Sequence, residues 1–156
     1  MLSDKAKKDI EAALKKYPNK RSAVMDALRI VQADRGGHLE RTDMEDVAVA
    51  LGMNPVEVHA AAAFYTMYNI QKPVGRHHIQ VCRNISCSLL GAEHIIKYIE
   101  RSLNIKTGET TPDNRFTLST VECLGSCGTA PMMQVNDDYY ENLTEQKVDE
   151  IIKKLV

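Results

Sequence analysis

The sequence predicts an α+β protein in two parts: an N-terminal helical bundle over residues 1–72, followed by an α/β domain over residues 73–156. Three observations carry this reading. Apolar residues recur at helical spacing as far as Met67. Two β-type runs then appear, separated by a single helical stripe. Between the halves, Lys72-Pro73-Val74-Gly75 breaks the pattern and marks the boundary. A chain of 156 residues can bury one sizeable core, or a small domain beside a medium one.

In the first half, Ala6, Ile10, Ala13 and Leu14 form one helical stripe. Val24, Ala27, Leu28 and Val31 form a second, which stops at Gly36-Gly37. A third helix follows a capping box in which Thr42 caps and Glu45 reaches back. Its Met44, Val47, Ala48 and Leu51 recur at i, i+3, i+4 and i+7 until Gly52. Asn54 caps a fourth helix, with Pro55 at its first position and Glu57 in its first turn. That helix runs through Val58, Ala60 to Ala63, Phe64, Tyr65 and Met67 and is apolar nearly all round. It therefore needs cover on two sides, and the Phe64 to Tyr68 aromatics are expected at an interface.

In the second half, a strand from about His78 to Val81 leads into a helix from about Ser88 to Leu103. The inward face of that helix carries Ala92, Ile96, Ile99 and Leu103. A second strand, Phe116 to Val121, completes a βαβ unit, so the two strands are expected to be parallel with a right-handed crossover. Pro131 to Val135 and Tyr139-Tyr140 flank Asn136-Asp137-Asp138 as a hairpin. Thr144 caps a last helix bearing Val148, Ile151, Ile152 and Leu155. The order βαβββα is what a thioredoxin-like layered fold gives.

The chemistry lies in four cysteines, the only ones in the chain. Cys82 and Cys87 stand as C-x4-C, Cys123 and Cys127 as C-x3-C, with 35 residues between the pairs. Each pair follows an apolar strand, so the thiols should project from loops at strand ends. Parallel strands share an end, which brings Cys82 and Cys123 to the carboxyl edge of one sheet. Residue types alone leave alternatives open. A 2Fe-2S cluster is favoured over structural zinc, whose ligand pairs usually form tight C-x2-C knuckles, and over disulfides, which a reducing compartment disfavours. The small residues of Cys123-Leu124-Gly125-Ser126-Cys127-Gly128 let backbone N–H groups approach sulfur, a further argument for the cluster. No C-x-x-C is present for a redox-active dithiol.

Composition excludes other classes. A net charge of −1, two Phe and no Trp give no basic stripe or stacking platform for nucleic acid. Neither a signal run nor 18 uninterrupted apolar residues occur, so the chain reads as cytosolic, with no direct membrane insertion. The five histidines, His38, His59, His77, His78 and His94, read as structural or surface groups, because four cysteines already complete a site. The lysines between Lys5 and Lys20 read as a solvated helix face. Arg83 is expected to be solvated, its functional alternative being to offset cluster charge, and Glu122 to point to solvent.

Several motifs together resemble one family. They are Phe64-Tyr65-Thr66-Met67-Tyr68, Pro73-Val74-Gly75-Arg76, the Cys82 pair, Gly91, and Thr110-Thr111-Pro112-Asp113. To these add Val121-Glu122-Cys123-Leu124-Gly125-Ser126-Cys127 with Ala130-Pro131, and Val135-Asn136-Asp137. The chain resembles the thioredoxin-like 2Fe-2S subunit of NADH:quinone oxidoreductase, respiratory complex I, from about Tyr17 to its C-terminus. The resemblance implies that Cys82, Cys87, Cys123 and Cys127 ligate one 2Fe-2S cluster. It implies a partner subunit that binds FMN and NADH and takes the hydride, with this chain exchanging single electrons with the flavin. It also implies a place among other complex subunits, in a peripheral arm at the cytoplasmic side of the membrane. Related modules serve NAD-linked hydrogenases and formate dehydrogenases. The chain itself has no G-x-G-x-x-G after a strand and no P-loop, so no hydride transfer is expected of it alone.

Overall fold

A computed structural model describes residues 1–155 and divides the chain into two compact units, Met1–Pro73 and the remainder from Val74. The first unit is helical. α1 (Asp4–Leu14) starts where the Ser3 hydroxyl accepts the Ala6 N–H at 3.0 Å, and it buries Ala6, Ile10 and Ala13. A 3-10 turn, Lys20–Ala23, leads into α2 (Val24–Asp34), whose Ala27, Leu28 and Val31 are fully buried. The helix closes as predicted at Gly36-Gly37, both at positive φ, with the Gly37 N–H donating to the Gln32 carbonyl at 2.8 Å.

α3 (Arg41–Leu51) begins earlier than its sequence suggests. Glu40, not Thr42, is its N-cap, and the reaching-back residue is Asp43, which accepts the Glu40 N–H at 3.0 Å. Asp43 wins because it is buried and also accepts Arg35 Nε at 2.8 Å, a tertiary link that a local motif search cannot see. Glu45 instead pairs with Arg41 one turn away. α4 (Pro55–Phe64) has the expected Asn54 cap, its side chain accepting the Val56 N–H at 2.9 Å. It stops at Phe64 rather than continuing through Met67. Tyr65 turns extended, and the segment after it is tied to α2: Tyr68 Oη donates to the Met25 carbonyl, and Gln32 bonds both Met67 and Asn69. Val58, Ala62 and Tyr68 enter the core of this unit, while Val56, Phe64, Tyr65 and Met67 stay exposed.

The second unit is built on a mixed four-stranded sheet of order β2-β1-β3-β4: β1 His77–Cys82, β2 Phe116–Val121, β3 Met133–Val135 and β4 Asp138–Tyr140. β1 and β2 are parallel as predicted, in a register that sets Cys82 beside Val121. β3 runs antiparallel to β1, and β3 and β4 form the predicted hairpin. Gly75 enters this sheet against the Asn114 and Arg115 backbone, where a Cβ would meet three backbone atoms at 3.0 Å. No other residue leaves room for that approach.

The single helix expected from Ser88 to Leu103 is in fact two, α5 (Ile85–Leu89) and α6 (Ala92–Leu103). The chain breaks at Gly91, whose φ of 98° no helix accommodates and glycine adopts freely. α6 buries Ala92, Ile96 and Ile99 as predicted and Ile95 besides, with Leu103 only half-buried. α7 (Glu145–Leu155) is capped by Thr144, whose hydroxyl accepts the Lys147 N–H at 3.2 Å. It joins α6 through Tyr98 Oη on Asp149 at 2.8 Å. Their apolar faces meet Ile79, Val81, Phe116, Leu118 and Met133 of the sheet. Each such side chain stabilises the unit by about 1.5–3 kcal/mol on burial.

Candidate metal centre

The carboxyl ends of β1 and β2 coincide because the strands are parallel and in register, and near them Cys82 interacts with Cys87 and Cys123, and Cys87 with Cys127. Cys82 is the last residue of β1. Cys87 lies in α5, not in a loop as its position after a strand suggested, because Asn84 caps a short helix between the two cysteines. Cys123 follows β2 in an irregular loop, and Cys127 opens a 3-10 turn, Cys127–Thr129. Cys82 and Cys87 are buried with Ala92 and Met132, whereas Cys123 and Cys127 are exposed, and all four are free thiols.

The thiols act on one another. Burial pushes the Cys82 thiol up, but the Asn84 and Leu124 N–H groups and the Cys87 and Cys123 thiols outweigh it, so its ionisation is eased. Burial is also the largest influence on Cys87. With the Cys82 thiol it pushes Cys87 up to about 11, against a Met132 N–H that favours the thiolate and alongside repulsion from Cys82 and Cys127. Two buried thiolates held side by side need a cation between them to ionise together. The Gly125 N–H, presented at φ 76°, donates to Cys123 Sγ at 3.3 Å. These backbone donors are the part of the site that residue types foreshadowed only as a glycine-rich loop.

The donor set fits a 2Fe-2S cluster. It offers four thiols, no lysine among them, and backbone N–H groups aimed at sulfur. Among the described residues no three His, Cys, Asp or Glu side chains close on one ion position.

The surroundings are firm. The Cys82 N–H donates to the Met132 carbonyl at 3.2 Å and the Arg83 N–H to Val121 at 3.0 Å, locking the strand ends together. Tyr139 Oη donates to the Leu124 carbonyl at 2.8 Å, so the hairpin holds the Cys123 loop. Ser126 and Thr129, either side of Cys127, bond Glu141. Arg83 and Glu122 are both largely exposed, as predicted, and pair with each other at 3.2 Å, so the cation is already offset. His78 and His94 bond Ser119 and Glu145. A groove of about 600 Å³ lined by Lys97, Arg101, Asn104 and Lys106 shares no residue with the thiol site.

Residues 10–156 match the family described as Thioredoxin-like [2Fe-2S] ferredoxin. The chain belongs to that family. Its relatives include the NADH-quinone oxidoreductase E 2 subunit of Rhizobium meliloti (strain 1021), 48% identical over 147 residues, 94% of this chain and 86% of the relative. The NADH-quinone oxidoreductase E subunit of Rickettsia conorii is 47% identical over 147 residues, 93% of this chain and 87% of its own length. The fold also resembles a crystal structure of NAD+-reducing [NiFe]-hydrogenase in the air-oxidized state, with a TM-score of 0.71 at 22% identity over 85% of this chain. This chain spans 22% of the hydrogenase chain, and the likeness is one of fold. Membership brings the thioredoxin-like α+β fold and one 2Fe-2S cluster, in agreement with the expectations from the cysteine spacing and element order.

Proposed function

We propose that this chain is an electron-transfer subunit of NADH:quinone oxidoreductase, exchanging single electrons between the FMN of a partner subunit and a cluster held by Cys82, Cys87, Cys123 and Cys127. The observation that carries the reading is near-full-length identity of 48% to a subunit of that oxidoreductase, joined to four thiols gathered at one sheet edge. Bound there, the cluster supplies a one-electron carrier. The chain's own residues do the rest. The buried Cys82 and Cys87 shield one side from water, while the exposed Cys123 and Cys127 turn the other outward, where a partner can approach. Backbone N–H groups of Asn84, Leu124, Gly125 and Met132 stabilise negative charge on sulfur.

Hydride transfer and the binding of FMN and NADH belong, on this reading, to the flavoprotein partner. The exposed face of α4, with Val56 and Phe64, and Met67 just beyond its end form a docking surface for the complex. The chain sits in a peripheral arm at the cytoplasmic side, and no described helix is long and apolar enough to cross a membrane. The same module in a hydrogenase or formate dehydrogenase is the alternative parent, which the 22% fold likeness alone does not favour over relatives at 46–48%. Anaerobic purification tests both parts. Two irons and two sulfides per chain, a red-brown colour and a co-purifying FMN protein are expected. One zinc per chain without sulfide overturns the cluster reading; a hydrogenase as the co-purifying partner overturns the parent complex.

A further inference from the structure

Glu141 follows β4 and aims its carboxylate back at the Cys123–Cys127 loop. One of its oxygens accepts the Ser126 hydroxyl and, at 2.7 Å, the Thr129 hydroxyl. The two hydroxyls also meet each other at 2.8 Å. They stand one residue before and two residues after Cys127, so a single carboxylate grips the turn from both sides. Its own backbone is held as firmly. The Glu141 carbonyl accepts Lys147 Nζ at 2.5 Å, the Asn142 N–H donates to the Thr129 carbonyl at 2.7 Å, and the Leu143 N–H to Pro131 at 2.9 Å. Tyr139, two residues earlier, bonds the Leu124 carbonyl at 2.8 Å. One short stretch, residues 139–143, thus ties down the whole second cysteine loop.

We propose that Glu141 is a positioning residue of the cluster: it fixes the Cys127 turn and adds a negative charge that opposes reduction. The inference rests on the four thiols being cluster ligands. Holding the turn does not require a charge, since a glutamine oxygen could accept the same hydroxyls. The carboxylate adds a field. Reduction places one more negative charge on a centre already surrounded by four thiolates, and a neighbouring fixed anion makes that step less favourable. Ser126 first and Thr129 second, with Lys147 nearby, hold this carboxyl below its usual range, so it is ionised at neutral pH. Arg83 is paired with Glu122, and Lys147, held on the Glu141 carbonyl, offsets the carboxylate's field in part without cancelling its charge.

The test uses the full chain, prepared anaerobically, as wild type, Glu141→Gln, Glu141→Ala and the remote surface control Glu150→Gln. Three quantities are read: iron and sulfide content, midpoint potential from an EPR-monitored titration, and the rate of iron release to a chelator. Glu141→Gln should keep its cluster and show a higher midpoint than wild type, while the control stays at the wild-type value. Glu141→Ala should release iron at least about tenfold faster, the factor that about 1.4 kcal/mol carries. A wild-type midpoint in Glu141→Gln overturns the electrostatic role, and wild-type release from Glu141→Ala overturns the clamp. Should Glu141→Ala fail to fold, Glu141→Gln decides: a shifted midpoint and altered g values support the proposal, and their absence overturns it. If the wild type binds zinc without sulfide, the cluster reading fails instead, and the clamp stands or falls on zinc release from the same variants.

Discussion

Cys82 and Cys87 differ from Cys123 and Cys127 in burial, and each class should fail differently when changed. Replacing Cys82 or Cys87 by serine leaves a hydroxyl among Ala92 and Met132 and removes a thiolate, so iron and sulfide should fall to a small fraction of wild type. Cys123→Ser or Cys127→Ser should also lose cluster, but with an unchanged apoprotein far-UV spectrum, because both positions are exposed. Full iron and sulfide in any single variant would remove that residue from the ligand set. His78 offers a pH test away from the thiols. Burial lowers it from 6.5 to about 4, so the unfolded chain takes up its proton more readily. Its contribution is complete above pH 6.5 and is lost as pH falls toward 4, about 2 kcal/mol between pH 7 and pH 5. Urea unfolding at those two pH values should show a steeper loss in wild type than in His78→Gln; equal losses would mean His78 titrates normally when folded.

Among the elements, α4 carries the clearest conflict between composition and environment. Ten residues apolar nearly all round bury only Val58 and Ala62, and Phe64 remains 77% exposed. Val58 and Ala62 supply the side that packs within the helical unit, while Tyr68, counted among the aromatics expected at an interface, is core instead. The outward residues remain the proposed surface. Phe64→Glu should weaken binding to the flavoprotein by more than about tenfold, a loss of about 1.4 kcal/mol, with an unchanged melting profile. Val58→Asp should unfold the helical unit instead. If several well-folded changes at Ala60, Ala63, Phe64 and Met67 leave the affinity unaltered, the docking surface lies elsewhere.

At the scale of the whole chain, electron transfer and hydride transfer are separable. The chain has no glycine-rich phosphate fingerprint, and its thiol site is an edge rather than a nucleotide cleft. Purified protein with two irons and two sulfides should therefore not reduce an artificial acceptor with NADH, and should gain that activity only when the flavoprotein is added. NADH-driven reduction by the chain alone, free of contaminants, would contradict this division.

The sequence by itself determined the order of the strands, the parallel pairing of β1 with β2, the hairpin and the four cysteines, because helical and strand periodicities and metal-type spacing are local signals. It foreshadowed the N–H donors at sulfur through the glycines around Cys127. Tertiary structure decided the rest. Glu40 and Asp43 displaced Thr42 and Glu45 because Arg35 reaches Asp43 from another helix. α4 ends at Phe64 because Tyr68, Met67 and Asn69 bond α2. Cys87 moved into a helix once Asn84 capped it and Gly91 turned. Glu141 joined the Cys127 turn only through the return of the hairpin, some 15 residues on from Ser126. The Asn84 cap is local, but the Tyr68, Gln32 and Glu141 bonds join groups far apart in sequence, and the break at Gly91 depends on a single backbone angle. No residue pattern encodes such partners before the chain has folded around them.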